Sequence, residues 1–268
     1  MVLRPHPAPG EADLRLTHFR AKLMKSFLKA VLRSVGYEVR RYIDPADAAP
    51  PLVRSLRHLC KGNKGDVIFD VGAHQGQTEN LLRTLFPAAT IHCFEPFAES
   101  FDILQSRISG SSYAHNFGFA EQAGQRTFQS NPMDVTNSLL PLEASAAKTW
   151  SLAALRTGQQ VQCRFETIDG FMKANSIQTI ELLKIDTQGA EFLVLEGAAN
   201  TIQSGSIKCI FLEIITAPTY QGQKDFSYYV DFLENSGFKL HGLYDICNNA
   251  HGELLQLDAL FTLRQSPA

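Results

Sequence analysis

From Val67 onward the chain alternates short apolar runs with stretches in which apolar residues recur every three or four positions. Runs rich in β-branched residues and bounded by Gly, Pro, Asn or Asp predict strands; the longer spacing predicts helices. Strands are expected at Val67–Val71, Thr90–Glu95, Tyr113–Phe119, Glu181–Asp186, Lys208–Ile215, Lys239–Tyr244 and Glu253–Leu263. Helices are expected near Gln77–Leu85, Ala98–Ser109, Ile168–Ala174, Glu191–Ser204 and Ser227–Ser236. Another should run from Pro51 to Cys60, since proline suits a first helical turn. Alternating strands and helices argue an α/β fold with a mainly parallel sheet and helices on both faces. The last two strands are joined through Asn248-Asn249-Ala250-His251-Gly252 with no helix between them, which predicts a C-terminal antiparallel hairpin.

Two regions fall outside this rhythm. Residues 124–161 carry Asn131-Pro132, Thr136-Asn137-Ser138 and an Ala-rich stretch to Trp150 with little periodicity. In an open α/β sheet, insertions at the carboxyl ends of strands wall the site, so this segment reads as a lid or acceptor-binding insertion. At the other end, residues 1–13 are rich in Pro and Ala and read as a flexible tail. Between Leu14 and Val35 an apolar stripe (Leu16, Phe19, Leu23, Phe27, Val31, Val35) is flanked by Arg15, Arg20, Lys22, Lys25, Lys29 and Arg33. One reading is an interfacial helix lying on anionic lipid, a peripheral membrane contact. The reading preferred here is a helix packed on the domain or on a partner subunit, since most apolar stripes face a core. Gly36–Tyr42 reads as a short strand, and the organisation expected is a tail (1–13), a basic helix with linking segment (14–62) and one domain (63–268).

Composition narrows the function classes. A length of 268 residues suits one large domain, and a net charge of -2 gives no electrostatic case for nucleic acid as a partner. The five cysteines are odd in number and form no C-x-x-C pair, so neither a zinc knuckle nor a disulfide framework is supported. With no apolar run of about 20 residues and no signal-peptide h-region, a cytoplasmic location is the natural expectation.

Candidate chemistry begins at Asp70-Val71-Gly72-Ala73-His74-Gln75-Gly76, followed by Phe94-Glu95-Pro96. A strand ending in an acid, a turn with two glycines and a helix opening near Gln77 present free N–H groups to a ligand. Glu95, about 20 residues beyond the glycines, is placed to accept hydrogen bonds from two ribose hydroxyls. A dinucleotide fingerprint requires G-x-G-x-x-G, whereas Gly72 and Gly76 are spaced G-x-x-x-G. The anion at Asp70 would repel a pyrophosphate but suits a sulfonium and an amino group, which favours S-adenosylmethionine. Cofactor contacts are therefore expected from Asp70, Gly72, Ala73, Gly76, Glu95 and Pro96, with Phe117 and Gly118 near the adenine.

A second constellation is Leu183-Lys184-Ile185-Asp186-Thr187-Gln188-Gly189-Ala190-Glu191. Lys184 and Asp186 are two apart on a strand and share a face. Lys184 is either a functional cation or half of an internal salt bridge with Asp186 or Glu213. Glu213 is the one acid in the apolar run Lys208–Ile215, and a buried carboxylate needs a partner or a function. The two acids could hold a divalent metal; a base or positioning role is preferred, because a third carboxylate with clear spacing is missing.

These runs, together with Phe211-Leu212-Glu213, Tyr220-Gln221-Gly222-Gln223, Gly237-Phe238 and Gln256-Leu257-Asp258-Ala259-Leu260-Phe261, resemble the FkbM-type S-adenosylmethionine-dependent methyltransferases. His74 stands where that family often has Asn. The resemblance implies the Rossmann-like class I methyltransferase sheet of seven strands with a reversed last strand. It also implies methyl transfer to a hydroxyl, commonly of a sugar in a polysaccharide, glycolipid or natural product. On that reading Asp186 is the expected base, with His74 as the alternative. Glu213 and Lys184 would position the acceptor or tune Asp186, and Asn137 and Ser138 would contact the acceptor. The rival class is a non-catalytic cofactor-binding regulatory or assembly protein, whose mark would be loss of Asp186 or Glu213. An amino-methylating enzyme is disfavoured, because Asp186-Thr187-Gln188-Gly189 stands where an Asn-Pro-Pro-Tyr-like turn would be.

Overall fold

Val67-Ile68-Phe69-Asp70-Val71 is apolar on both faces save for one acid, the pattern of a central parallel strand. The computed structural model describes residues 49–131, 134–150 and 158–264. The expected tail, the basic helix at 14–35 with its membrane reading, and the strand at Gly36–Tyr42 lie outside these residues. The unit that holds the described fold runs from Pro50 to Ala268, and so includes the helix that opens at Pro51.

The strands are β1 (Val67–Val71), β2 (Thr90–Phe94), β3 (Ser112–His115), β4 (Gly118–Phe119), β5 (Gly124–Ser130), β6 (Gln159–Glu166), β7 (Ile180–Ile185), β8 (Ile207–Ile215), β9 (Phe238–Asn248) and β10 (Leu254–Leu263). Seven form one sheet in the order β3-β2-β1-β7-β8-β10-β9. The first five are parallel, and β10 runs antiparallel to both β8 and β9. This is the Rossmann-like methyltransferase arrangement, with the expected reversed strand closing the C-terminal hairpin. Helices α1 (Pro51–Leu59), α2 (Gln77–Leu85) and α3 (Ala98–Arg107) cover one face, burying Leu56, Leu82 and Leu104 against Ile68, Ile91 and Leu182. After a short α4 (Ala146–Thr149), helices α5 (Ile168–Ala174), α6 (Glu191–Glu196), α7 (Ala199–Gln203) and α8 (Phe226–Asn235) cover the other. There Phe171, Val194 and Leu233 pack on Phe69, Leu183 and Ile210. Among the described residues no helix is long and apolar enough to cross a membrane.

Three elements depart from the pattern. The run expected as one strand at Tyr113–Phe119 is split between sheets. The Asn116 amide donates to the carbonyls of Glu95 and Pro96 and turns the chain away from β2. Gly118 and Phe119 then pair with β6. The helix expected at Glu191–Ser204 is broken between α6 and α7. Gly197 lies so close to the Ala120 carbonyl that a Cβ would come within 2.1 Å of it. The Asp169 carboxylate then accepts the backbone N–H groups of Asn200 and Thr201, restarting a helix that has no cap of its own. The insertion is also more regular than its composition suggests, because β5 and β6 pair antiparallel across it. Alternation at Val161, Cys163 and Phe165 carried that signal.

His92 and His115 belong to packing. Their rings stack at 5.3 Å beside Phe94, and burial pushes both pKa values down to about 4, aided at His92 by the neighbouring His115.

Candidate active site

The strand order reverses between β1 and β7, and open α/β sheets bind ligands in the crevice at such a point. A cavity of about 310 Å³ opens there, with walls from the ends of β1, β2, β7 and β8 and from the β4–β6 sheet.

The turn after β1 forms one wall through Gly72, Ala73 and His74. Gly72 has φ +74°, and a Cβ there would lie 1.8 Å from the Asp186 carbonyl. This glycine thus permits a close approach to the neighbouring strand end, while its backbone lines the cavity. Gly72→Ala should destabilise the fold by about 3 kcal/mol, combining a positive φ with a backbone collision, and a lowered Tm would report it. Gly76 (φ +90°) ends the turn in a left-handed conformation and is not a cavity wall. It leaves the α2 N-terminus without a side-chain cap, and Gln77 and Thr78 of that first turn line the cavity.

Glu95 and Pro96, beyond β2, line the same space. The Glu95 carboxylate accepts the His74 N–H on Oε2 and the Phe97 N–H on Oε1, each at 2.9 Å. Each oxygen keeps a lone pair for a further donor. Burial pushes its pKa up to about 7, against the opposing pull of the two N–H groups.

Asp70 does not face the cavity. It is fully buried on the sheet face it shares with Lys184, its partner in register on β7. Lys184 Nζ lies 2.9 Å from Asp70 Oδ1, donates to the Gly72 carbonyl at 3.0 Å, and stands 3.6 Å from Asp186 Oδ2. Burial disfavours the ammonium, but Asp70 and Asp186 outweigh it and raise its pKa. The principal partner of Lys184 is thus Asp70, rather than Asp186 or Glu213 as the sequence suggested. The buried ion pair ties β7 to β1, and the same ammonium holds the turn after β1 through the Gly72 carbonyl.

Asp186, just past β7, keeps 31% of its side chain exposed to the cavity region, and Glu213 on β8 lines the cavity with it. Burial raises the pKa of Asp186. Lys184 and hydrogen bonds from Glu213 and Gln188 more than reverse this, so it stays below the usual carboxylate range. Glu213 goes the other way: burial, then the charge of Asp186, push it up to about 9. The two neighbouring acids are thus pushed in opposite directions, Asp186 toward the ionised form and Glu213 toward the protonated one, and the Gln188 amide donates to both. Glu191 does not join them. It accepts the N–H groups of Thr187 and Gly189, bracing the turn from within.

The insertion supplies the facing wall. Val135, Asn137 and Leu139, with Phe119, Phe128 and Phe165, line the cavity. Asn137 Oδ1 accepts the Asn131 N–H at 2.6 Å, whereas its Nδ2 is buried with no partner in the chain. Ser138 is fully buried and donates to the Gln188 carbonyl at 2.7 Å, so its contact is with the Asp186 turn rather than the cavity. Phe117 likewise packs in the aromatic core, against Phe94, Phe119 and Phe171, while Gly118 and Phe119 reach the cavity. Sequence reasoning missed Gln188 and the phenylalanines at 119, 128 and 165. Among the described residues no group of three or more His, Cys, Asp and Glu is arranged to hold a metal.

A family model described as "Methyltransferase FkbM domain" matches residues 70–240. The chain is 28% identical over 168 residues to the 31-O-demethyl-FK506 methyltransferase FkbM of Streptomyces tacrolimicus, covering 54% of this chain and 64% of that one. It is 24% identical over 161 residues to the hexuronic acid methyltransferase AglP of Haloferax volcanii, covering 58% and 59% respectively. The match thus spans less than two thirds of either relative. Among solved structures, a methyltransferase FkbM from Methylobacillus flagellatus superposes with TM-score 0.46 at 14% identity, over 75% of this chain and 44% of that one.

Proposed function

Because the chain belongs to the FkbM methyltransferase family, we propose that it transfers a methyl group from S-adenosylmethionine to a hydroxyl oxygen of a carbohydrate-like acceptor. One observation carries the reading: a single cavity joins the Glu95 carboxylate and the uncapped start of α2 to the neighbouring carboxyl groups of Asp186 and Glu213.

The cavity fits the cofactor. Glu95 has one free lone pair on each oxygen for a vicinal diol, Phe119 and Pro96 offer apolar surface for a planar base, and the first turn of α2 presents unpaired N–H groups. Bound there, S-adenosylmethionine supplies an electrophilic methyl group. The chain's own residues supply the rest. Asp186 accepts the acceptor's hydroxyl proton on its carboxylate, Glu213 stabilises that carboxylate by donating to it, and Lys184 keeps it ionised. Asn137 Nδ2, a donor without a partner in the cavity wall, would hydrogen-bond an acceptor oxygen. His74 engages Glu95 through its backbone and also lines the cavity, so it is the alternative base to Asp186. A hydroxyl acceptor accords with the relative named for 31-O-demethyl-FK506, and a sugar with the one named for hexuronic acid. The non-catalytic alternative has no support from the acids, since both are present and paired.

The test is a screen of the full chain with S-adenosylmethionine carrying a tritiated methyl group, against neutral and acidic mono- and oligosaccharides bearing free hydroxyls. Label should appear as an O-methyl ether. Saturable cofactor binding with transfer only to amino groups would overturn the reading.

A further inference from the structure

Gln188 is the one non-glycine residue of the Asp186 turn held at positive φ, +55°. A glycine would adopt that backbone without strain, so a long side chain there calls for a reason. Its amide supplies one. Nε2 donates to Asp186 Oδ1 at 2.9 Å and to Glu213 Oε2 at 2.7 Å, one hydrogen to each carboxyl group. The opposite orientation would turn the amide oxygen against an anion, so chemistry selects this rotamer. The Tyr220 hydroxyl lies 3.2 Å from Oε1 and 3.0 Å from the Thr136 carbonyl, two acceptors that share its proton. Ser138 holds the backbone carbonyl at 2.7 Å, and a Cβ at the following Gly189 would meet the Tyr220 ring at 2.8 Å. The residue is thus fastened at both ends by the insertion and by the loop after β8.

We propose that Gln188 is a positioning residue: its amide clamps Asp186 and Glu213 at one separation and holds Asp186 open to the acceptor. The proposal rests on the reading of Asp186 as the base. Loss of the clamp removes a charge-assisted hydrogen bond from Asp186 and leaves its protonation to the other groups around the pair. These are Lys184 on β7, Asp70 on β1, Glu191 at the start of α6, Tyr220 after β8, and Asp258, the register partner of Glu213 on β10.

The experiment is an infrared pH titration of the full chain, which sees carboxyl protonation without needing the acceptor. Wild type should show a protonated-carboxyl band that persists to about pH 9 and is missing in Glu213→Gln. The Asp186 transition is assigned by its loss in Asp186→Asn. In Gln188→Met, close in volume but without the amide, the Asp186 midpoint should rise by about one pH unit. Tyr220→Phe, which frees Oε1 but leaves the amide, should shift it the same way by less, and stands in should Gln188→Met not fold. Midpoints equal to wild type in the folded variants would overturn the proposal. Calorimetry of wild type with S-adenosylmethionine runs alongside. Absence of binding there would sink the functional reading and leave the titration result on Gln188 standing.

Discussion

Asp186→Asn should lower kcat by roughly 10³-fold while S-adenosylmethionine affinity stays within a few-fold of wild type, because a positioned general base contributes about 10²–10⁴ in rate. The amide cannot take the hydroxyl proton, yet it keeps the shape of the carboxylate and an acceptor for Gln188 Nε2. The contrast with Glu213→Gln identifies the base. Burial and the charge of Asp186 push Glu213 toward its protonated form, so a neutral amide in its place can still donate to Asp186, and kcat should fall by only about tenfold or less. Stopped-time assays of both variants on the acceptor found in the tritium screen decide it. Equal losses in the two would remove the distinction between base and donor, and full activity in Asp186→Asn would remove the base.

At the other end of the cavity, Glu95→Gln should weaken S-adenosylmethionine binding by roughly 10²-fold at pH 8, the loss of one or two hydrogen bonds to a charged group. It costs more than a ribose contact, since the amide nitrogen that replaces one oxygen accepts no hydrogen bond and leaves either the His74 or the Phe97 N–H facing a donor. The pH dependence follows from the raised pKa, about 7, in the free protein. The ionised form is the one that accepts from the ribose. Above pH 7 the carboxylate is already charged and affinity should be flat. Below pH 7 binding must displace a proton, and the apparent Kd should rise by up to about tenfold per pH unit. In Glu95→Gln that slope should vanish. Calorimetry between pH 5.5 and 8.5 measures both, and a wild-type affinity independent of pH across that range would contradict the assignment.

Much of this site is legible in the chain because it is written locally. The apolar run of β1, the glycine turn and Glu95 fall within one strand–turn–helix–strand unit, where spacing alone places each group. The C-terminal hairpin is equally local. The roles within that unit were less legible. Asp70 has the position of a cofactor ligand in one dimension and is the partner of Lys184 in three. Gly72 serves the Asp186 carbonyl, and Ser138 serves Gln188. Gln188 itself sits in a run where any polar residue could pass for an ordinary turn.

The sequence by itself determined the parallel sheet, its reversed strand, the glycine turn and the acids at 95, 186 and 213, since periodicity and turn chemistry are properties of neighbouring residues. Only the tertiary structure decided which way each acid is pushed and what holds it. The Lys184 ammonium reaches the Gly72 carbonyl 112 positions away, and the Ser138 hydroxyl reaches the Gln188 carbonyl 50 positions away. Burial and charge pairing act through space, so the opposed shifts of Asp186 and Glu213 arise only once β1, β7, β8 and the insertion have come together.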